Sequence, residues 1–275
     1  MTAGAAAARR VTFGLRRMVA ALGSATIRSV DEVLLSAALA ATVLVAATRR
    51  DARRGVVWAE FRRVVREVAL HSLPTTIVAG VLVGIALVSQ AIYWLSVTGT
   101  SGLVGPVIVI LLFREFTPIL VGLIIFGRSG TATLIELSEA RSRGWQRMIE
   151  LRGLDPMSML VLPRTFGFAI GAFCLATVLL LTTLGTGYFI GHALGLLSYS
   201  IWDFAALVSR ALSVADFIFP PLKCVVIGFL VALACCATAL GVGPRQDDLR
   251  RIVLLGFVRS ALAILLVNTA IDLVS

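Results

Sequence analysis

Arg114 and Glu115 stand side by side inside an otherwise apolar run, and Pro118 follows four residues after the arginine. A charge at mid-membrane costs roughly 2.5–3.5 kcal/mol on insertion scales, so such residues usually face a cavity or a partner. Adjacent helical residues point about 100° apart, which places these two poorly for pairing with each other. Pro118 has no N–H to offer the Arg114 carbonyl, so a kink and a free acceptor are expected there. The chemistry open to this group is electrostatic. The two charges could wall a polar cavity, or they could neutralise groups on neighbouring spans, with Lys223 or Arg259 as partners of the glutamate.

Nothing nearby suggests bond-making chemistry. No Ser/His/Asp or Cys/His constellation and no cluster of intramembrane carboxylates can be found, so an enzyme is not expected. The stretch FGRSGTATLIE (Phe126–Glu136) is glycine-rich, but a phosphate-binding loop needs a lysine in fixed register, and the only lysine in the chain is Lys223. No ATP or magnesium site is expected in this chain, and any ATP-driven role needs a separate subunit. His71 and His192 sit alone. The four cysteines, Cys174, Cys224, Cys235 and Cys236, fall in apolar runs without metal-ligand spacing, so no metal is expected.

A second group has chemistry of another kind. SEARSRGWQRMIELRGLDP, from Ser138 to Pro156, holds three acidic and four basic side chains between long apolar flanks. Trp145, Met148, Ile149 and Arg152 fall at i, i+3, i+4 and i+7, which predicts a short helix with a narrow apolar edge. Arg143, Arg147 and Glu150 lie away from that edge. Gly153 is placed as a C-terminal cap and Asp155-Pro156 as a stop. Such a helix either rests on lipid headgroups or docks a cytoplasmic partner.

The elements that carry these groups are membrane spans. Of the 275 residues 59% are hydrophobic and only 15% charged, with a mean hydropathy of +0.97. Several apolar runs exceed the 20 or so residues that cross about 30 Å of hydrocarbon. Five spans are expected, at about Leu73–Leu95, Leu103–Phe126, Phe166–Leu194, Phe217–Leu240 and Ile252–Leu273. The net charge is +10. Its placement matters more than its sum, and no nucleic-acid partner is expected. Residues 1–72 carry 12 arginines, the 127–164 loop six and the 241–251 loop three. The alternate loops carry one between them, Arg210. That asymmetry predicts a cytoplasmic N-terminus and an outer C-terminus in a bacterial inner membrane.

Two domains follow: residues 1–72, a cytoplasmic N-terminus, and 73–275, a five-span domain with a cytoplasmic segment at 127–164. Within the first, Val33–Thr48 is short for a span and reads as a re-entrant or interfacial helix. Val56–Leu70 reads as a basic amphipathic helix lying on an anionic membrane face. Inside the spans Gly80/Gly84, Gly167/Gly171 and Gly187/Gly191 form G-x-x-x-G pairs, expected to pack helices within one subunit.

REFTPILVGLIIFGRSGTATLIEL, then Asp155-Pro156, then VLPR ending at Arg164, resembles the signature of the MlaE/YrbE permeases of MCE-type lipid ABC transporters. Gln90 and the GVG at Gly241–Gly243 also match, and the resemblance runs from about residue 33 to the end. It implies an all-α polytopic fold, interfacial helices followed by five spans, and pairing with a second permease copy or a sister permease. It implies a cytoplasmic ABC ATPase, a periplasmic MCE-domain protein and a lipid substrate, phospholipid or similar. Leu87, Gln90, Ala91, Trp94 and Leu95, with Arg114 and Glu115, would line the lipid cavity. Arg143, Gly144, Trp145, Arg147, Met148, Ile149 and Arg152 would couple to the ATPase. Pro118, Gly127, Arg128, Gly130, Glu136, Asp155, Pro156, Pro163 and Arg164 would form the structural motif. The coupling segment departs from the family: GWQRMI stands where that family commonly reads E-Q-I-D-A-L. Two other functions compete. A membrane scaffold would recruit envelope partners without transport and would tolerate neutral substitutions at Arg114 and Glu115. A self-sufficient secondary transporter would want inverted repeats, which five spans do not divide into.

Overall fold

The computed structural model describes residues 38, 40–45, 47, 55–97, 99, 107–151, 157–195, 200–241 and 249–273. The chain divides into two units, 1–42 and 43–275. Of the first, only residues 38 and 40–42 are described, and all four are helical. Half of the Val33–Thr48 expectation therefore lies outside the described residues, as do all of Arg152, Gly153, Asp155, Pro156 and the stretch from Val242 to Asp248.

Among the described residues five helices are long and apolar enough to cross a membrane: Val57–Leu95, Ile110–Ser142, Met159–Ala193, Val214–Leu240 and Arg250–Asp272. Among the described residues there is no strand. The first span combines α1 (Gly55–Val83), a π-helical turn (Gly84–Val88) and α2 (Ser89–Val97). The second runs through a π-helical stretch (Val109–Phe116), α3 (Thr117–Ile125), a π-helical turn (Phe126–Gly130) and α4 (Thr131–Ser142). After a short helix α5 (Trp145–Leu151), the third span opens with a π-helical turn (Met157–Val161) and continues as α6 (Leu162–Ala193). The surface helix α7 (Ile201–Ala211) precedes α8 (Val214–Gly241) and α9 (Leu249–Asp272).

The expected boundary at residues 72 and 73 does not coincide with a helix end. The basic amphipathic stretch and the first apolar run are one helix, continuous through Pro74. The reason is a single buried stripe: Val64, Val68, Ser72, Thr76, Gly80, Gly84 and Val88, every fourth residue from the charged half into the apolar half. It faces a matching row on α6, Gly167, Gly171, Leu175, Leu179, Thr183, Gly187 and Gly191, also all buried. Rows at four-residue spacing pack ridge into groove, and the glycines let the backbones close. A Cβ on Gly171 would lie 2.5 Å from Val68, and one on Gly84 would lie 2.6 Å from the Thr183 carbonyl. Gly80, Gly84, Gly167, Gly171 and Gly187 thus all face neighbours within the chain.

α8 is the core of the unit. Of its most apolar stretch 61% is buried, against 24% for the first span and 28% for the fifth. Gly228 brings α8 close to α6, where an added Cβ would meet the Phe168 carbonyl at 2.6 Å. Gly122 likewise admits Ile227 of α8 and Ile264 of α9 against α3. On α7 the Ser200–Asp203 capping box fixes the start, and Phe204 and Val208 pack beside Val88, Ile108 and Leu112.

Candidate functional site

Arg114 lies in the π-helical stretch that precedes Pro118. The guanidinium donates from Nε to Asp216 Oδ1 at 2.5 Å, across from the first turn of α8. Asp216 is buried, and its other oxygen accepts from the backbone N–H and the hydroxyl of Ser213 at 2.9 and 2.8 Å. The free acceptor expected from Pro118 is real and it is filled. Lys223 Nζ donates to the Arg114 carbonyl at 3.1 Å. The same ammonium bonds Asp272 at the end of α9. Lys223 is 1% exposed, so these bonds compensate for the solvation its charge has lost.

Glu115 accepts from Asn268 Nδ2 at 3.0 Å. Lys223 and Arg259, the partners expected for it, are engaged elsewhere: Lys223 as above, and Arg259 with the Thr238 hydroxyl at 3.2 Å. The reason is height along α9. Asn268 stands nine residues beyond Arg259, roughly 13 Å at the helical rise. Glu115 lies at the level of the amide, whereas the carbonyl released by Pro118 takes the lysine. Three spans are thereby clamped at one end. The space left among Arg114, Asp216, Lys223 and Asp272 is about 20 Å³, room for roughly one water and not for a lipid.

At the arginine-rich end a second set of ion pairs joins the first three spans. Arg164, buried just after Pro163 at the start of α6, reaches Glu136 at 3.3 Å and Glu60 at 3.9 Å, and donates to the Leu160 carbonyl at 3.0 Å. Arg128 donates to the His71 carbonyl at 2.9 Å, and the Ser72 and Ser129 hydroxyls meet at 3.4 Å. Arg141 of α4 bonds the Leu240 carbonyl at the end of α8. Gly130 packs under Phe126 and Cys235, whereas Gly127 faces open space within the chain.

Gly144 carries a φ of +72°, a conformation that favours glycine, and it turns α4 into α5. Its N–H bonds the Arg141 carbonyl at 2.9 Å while Arg143 bonds Glu139 both through the backbone and, at 3.4 Å, through the side chains. The glycine in GWQRMI thus has a backbone reason. On α5, Trp145 and Met148 are 54% and 52% exposed, Ile149 is half-buried, and Arg147 and Glu150 point to solvent.

The remaining residues expected to form the site lie on the first span. Gln90 and Trp94 are exposed, Leu87 and Ala91 half-buried, and Leu95 packs in part against the Val88–Ile108–Leu112 cluster. Arg114 and Glu115 bond α8 and α9. Sequence reasoning missed Glu60, Asp216, Asn268 and Asp272. Their positions at or near helix ends were the only signal, since a carboxylate there ordinarily sits in the interface. Among the described residues no three His, Cys, Asp or Glu side chains converge on a common point.

Comparison with known proteins adds a pattern over most of this architecture. The profile of a family described as permease MlaE matches residues 61–274. A probable ABC transporter permease protein of Rickettsia prowazekii is 26% identical over 201 residues, 73% of this chain and 77% of its own length. A protein of the same description from Rickettsia typhi is 25% identical over the same shares. One from Porphyra purpurea is 28% identical over 136 residues, 50% of this chain and 51% of its own.

Proposed function

The chain belongs to the MlaE permease family and is a permease subunit of an ABC transporter, and from that premise we propose that its cargo is a lipid. In this reading two permeases, identical or sister chains, pair in a bacterial inner membrane with the N-terminus in the cytoplasm. A separate ATPase binds beneath, and a periplasmic MCE-domain protein receives or delivers the lipid above. Residues 1–72 act as the cytoplasmic and interfacial part, and 73–275 as the permease proper.

The observation that carries the reading is the uncovered first span. Leu87, Ala91, Trp94 and Leu95 offer an apolar wall with one exposed amide, Gln90, and less than a quarter of this span is buried in its own chain. Acyl chains need such a wall, and a headgroup needs a few polar contacts. A second copy facing this surface would enclose a cavity between the two chains. Arg114 and Glu115 then act as structural parts of the cavity's polar end, held by α8 and α9. ATP hydrolysis on the partner acts through α5, whose exposed Trp145 and Met148 form the contact.

Native mass spectrometry of the gently extracted complex tests this. The expected mass holds two permeases, two ATPases and retained phospholipid. Trp145→Asp with Met148→Asp should remove the ATPase and keep the permease pair. A double variant that still carries its ATPase would overturn the coupling role of α5. Permeases that copurify with no lipid in several mild detergents would overturn the cargo.

A further inference from the structure

Beside α5 lies an open groove of about 660 Å³, larger than any polar gap in the membrane clamp and within the range that receives a large side chain or a turn of helix. Its walls come from the charged half of α1, from α4 and α5, and from the start of the third span. Trp145, Ile149, Met159, Leu160, Ala59 and Ala140 give it apolar surface, with buried Leu137 beneath. The Trp145 edge is continuous with the exposed Met148, so groove and coupling helix form one surface.

The charges around the groove decide what fits. Three acids and three bases line it, and each has a partner in this chain. Glu60 pairs with Arg63 at 3.7 Å and with Arg164 at 3.9 Å. Glu136 pairs with Arg164 at 3.3 Å, and Glu139 with Arg143 at 3.4 Å. The rim is therefore neutral and internally satisfied. A charged occupant would meet a rim whose charges already balance, and an exposed ion pair gained there is worth only about 0–1 kcal/mol. An apolar occupant breaks nothing and removes the aromatic and aliphatic walls from water.

We infer that this groove receives an apolar side chain, aromatic or branched aliphatic, presented by the ATPase, so that the two subunits interlock in both directions. This rests on the coupling role of α5 proposed above. α5 is the projection this chain offers, and the groove is the socket beside it. The partner recognised here is neutral and apolar at its contact point, despite the +10 charge of the whole chain.

The test places a cysteine in the socket wall, Ala140→Cys, after Cys174→Ala removes the exposed native thiol; the other three cysteines are buried. In the free permease in lipid nanodiscs, the introduced thiol should react with a maleimide. In the ATPase complex it should react about tenfold more slowly or less. Ala140→Trp, which fills the socket, should weaken ATPase binding by about tenfold or more, the loss of one well-packed apolar contact. Equal labelling in free and complexed permease overturns the inference. So does undiminished binding by Ala140→Trp, or a socket thiol already blocked in the free permease, which would mean lipid occupies the groove. If Trp145→Asp with Met148→Asp releases the ATPase while Ala140→Cys labels equally with and without the partner, the coupling reading stands and the socket alone fails.

Discussion

Lys223 is the sole lysine of the chain and is almost completely buried, yet both of its partners come from other spans. Removing its charge takes the ammonium from Asp272 and the donor from the Arg114 carbonyl. Breaking a buried pair from one side costs about 3–5 kcal/mol, less here because Asp272 is partly exposed. Lys223→Met is expected to lose about 2 kcal/mol or more, seen as a lower midpoint of thermal unfolding in detergent. Lys223→Met with Asp272→Asn should recover part of that loss, because the carboxylate that lost its ammonium is then neutral. A single variant as stable as the double would show that the pair holds nothing. At this scale the sequence was half legible. Arg114, Glu115 and Pro118 stand out because charge and proline are conspicuous in an apolar run. Asp216, Asn268 and Asp272 do not. They lie 102, 153 and 49 residues from the groups they meet, near helix ends where carboxylates and amides are ordinary. Glu136 and Arg164 belonged to the resemblance, but nothing in their spacing announced that they touch.

The helices were more legible than their joints. Apolar length and the arginine pattern marked five spans, and the described residues hold five such helices. The continuity of α1 was hidden because a basic amphipathic pattern giving way to an apolar run reads as two elements. The stripe that unites them contains Ser72, Thr76, Gly80 and Gly84, residues a hydropathy scan passes over. The π-helical turns left no pattern either. Glycine in a span is ambiguous in sequence, and the structure sorts the cases by what surrounds each one. Gly84→Ala would drive a Cβ into the Thr183 carbonyl on α6, which is backbone and yields little. It is expected to cost about 1–3 kcal/mol. Gly127→Ala, with nothing within 4 Å, should be neutral or stabilising by up to about 1 kcal/mol, as for Gly→Ala in a helix interior. Thermal unfolding of the two purified variants reads the contrast, and equal midpoints would refute the close α1–α6 packing.

Within residues 43–275 the two ends of the helices differ in kind. One gathers Glu60, Glu136, Arg141 and Arg164 with the surface arginines of α1, α4 and α5. The other gathers Asp216, Lys223 and Asp272 around Arg114. Arginine-rich loops stay on the cytoplasmic side, so in a Cys174→Ala background Ser142→Cys should react with a membrane-impermeant maleimide only after the membrane is opened. Ser200→Cys, just before α7, should react in intact cells. The opposite pattern would invert the orientation proposed here. The uneven burial of the spans, least for the first and fifth, was not legible in the sequence, because an apolar side chain reads the same whether lipid, a neighbouring span or a second subunit covers it. The α1–α6 pair has a mechanical consequence. Two rods free to slide past each other flex easily, but rods bonded along their length behave as a laminate and resist bending far more than their sum. Packed closely from Val64–Gly167 to Val88–Gly187, the first span and α6 would bend as one such laminate, with their arginine-rich ends joined by the Glu60–Arg164 pair. A push delivered there would arrive at Gln90 and Trp94 as a tilt of the whole beam, little diminished by flexure.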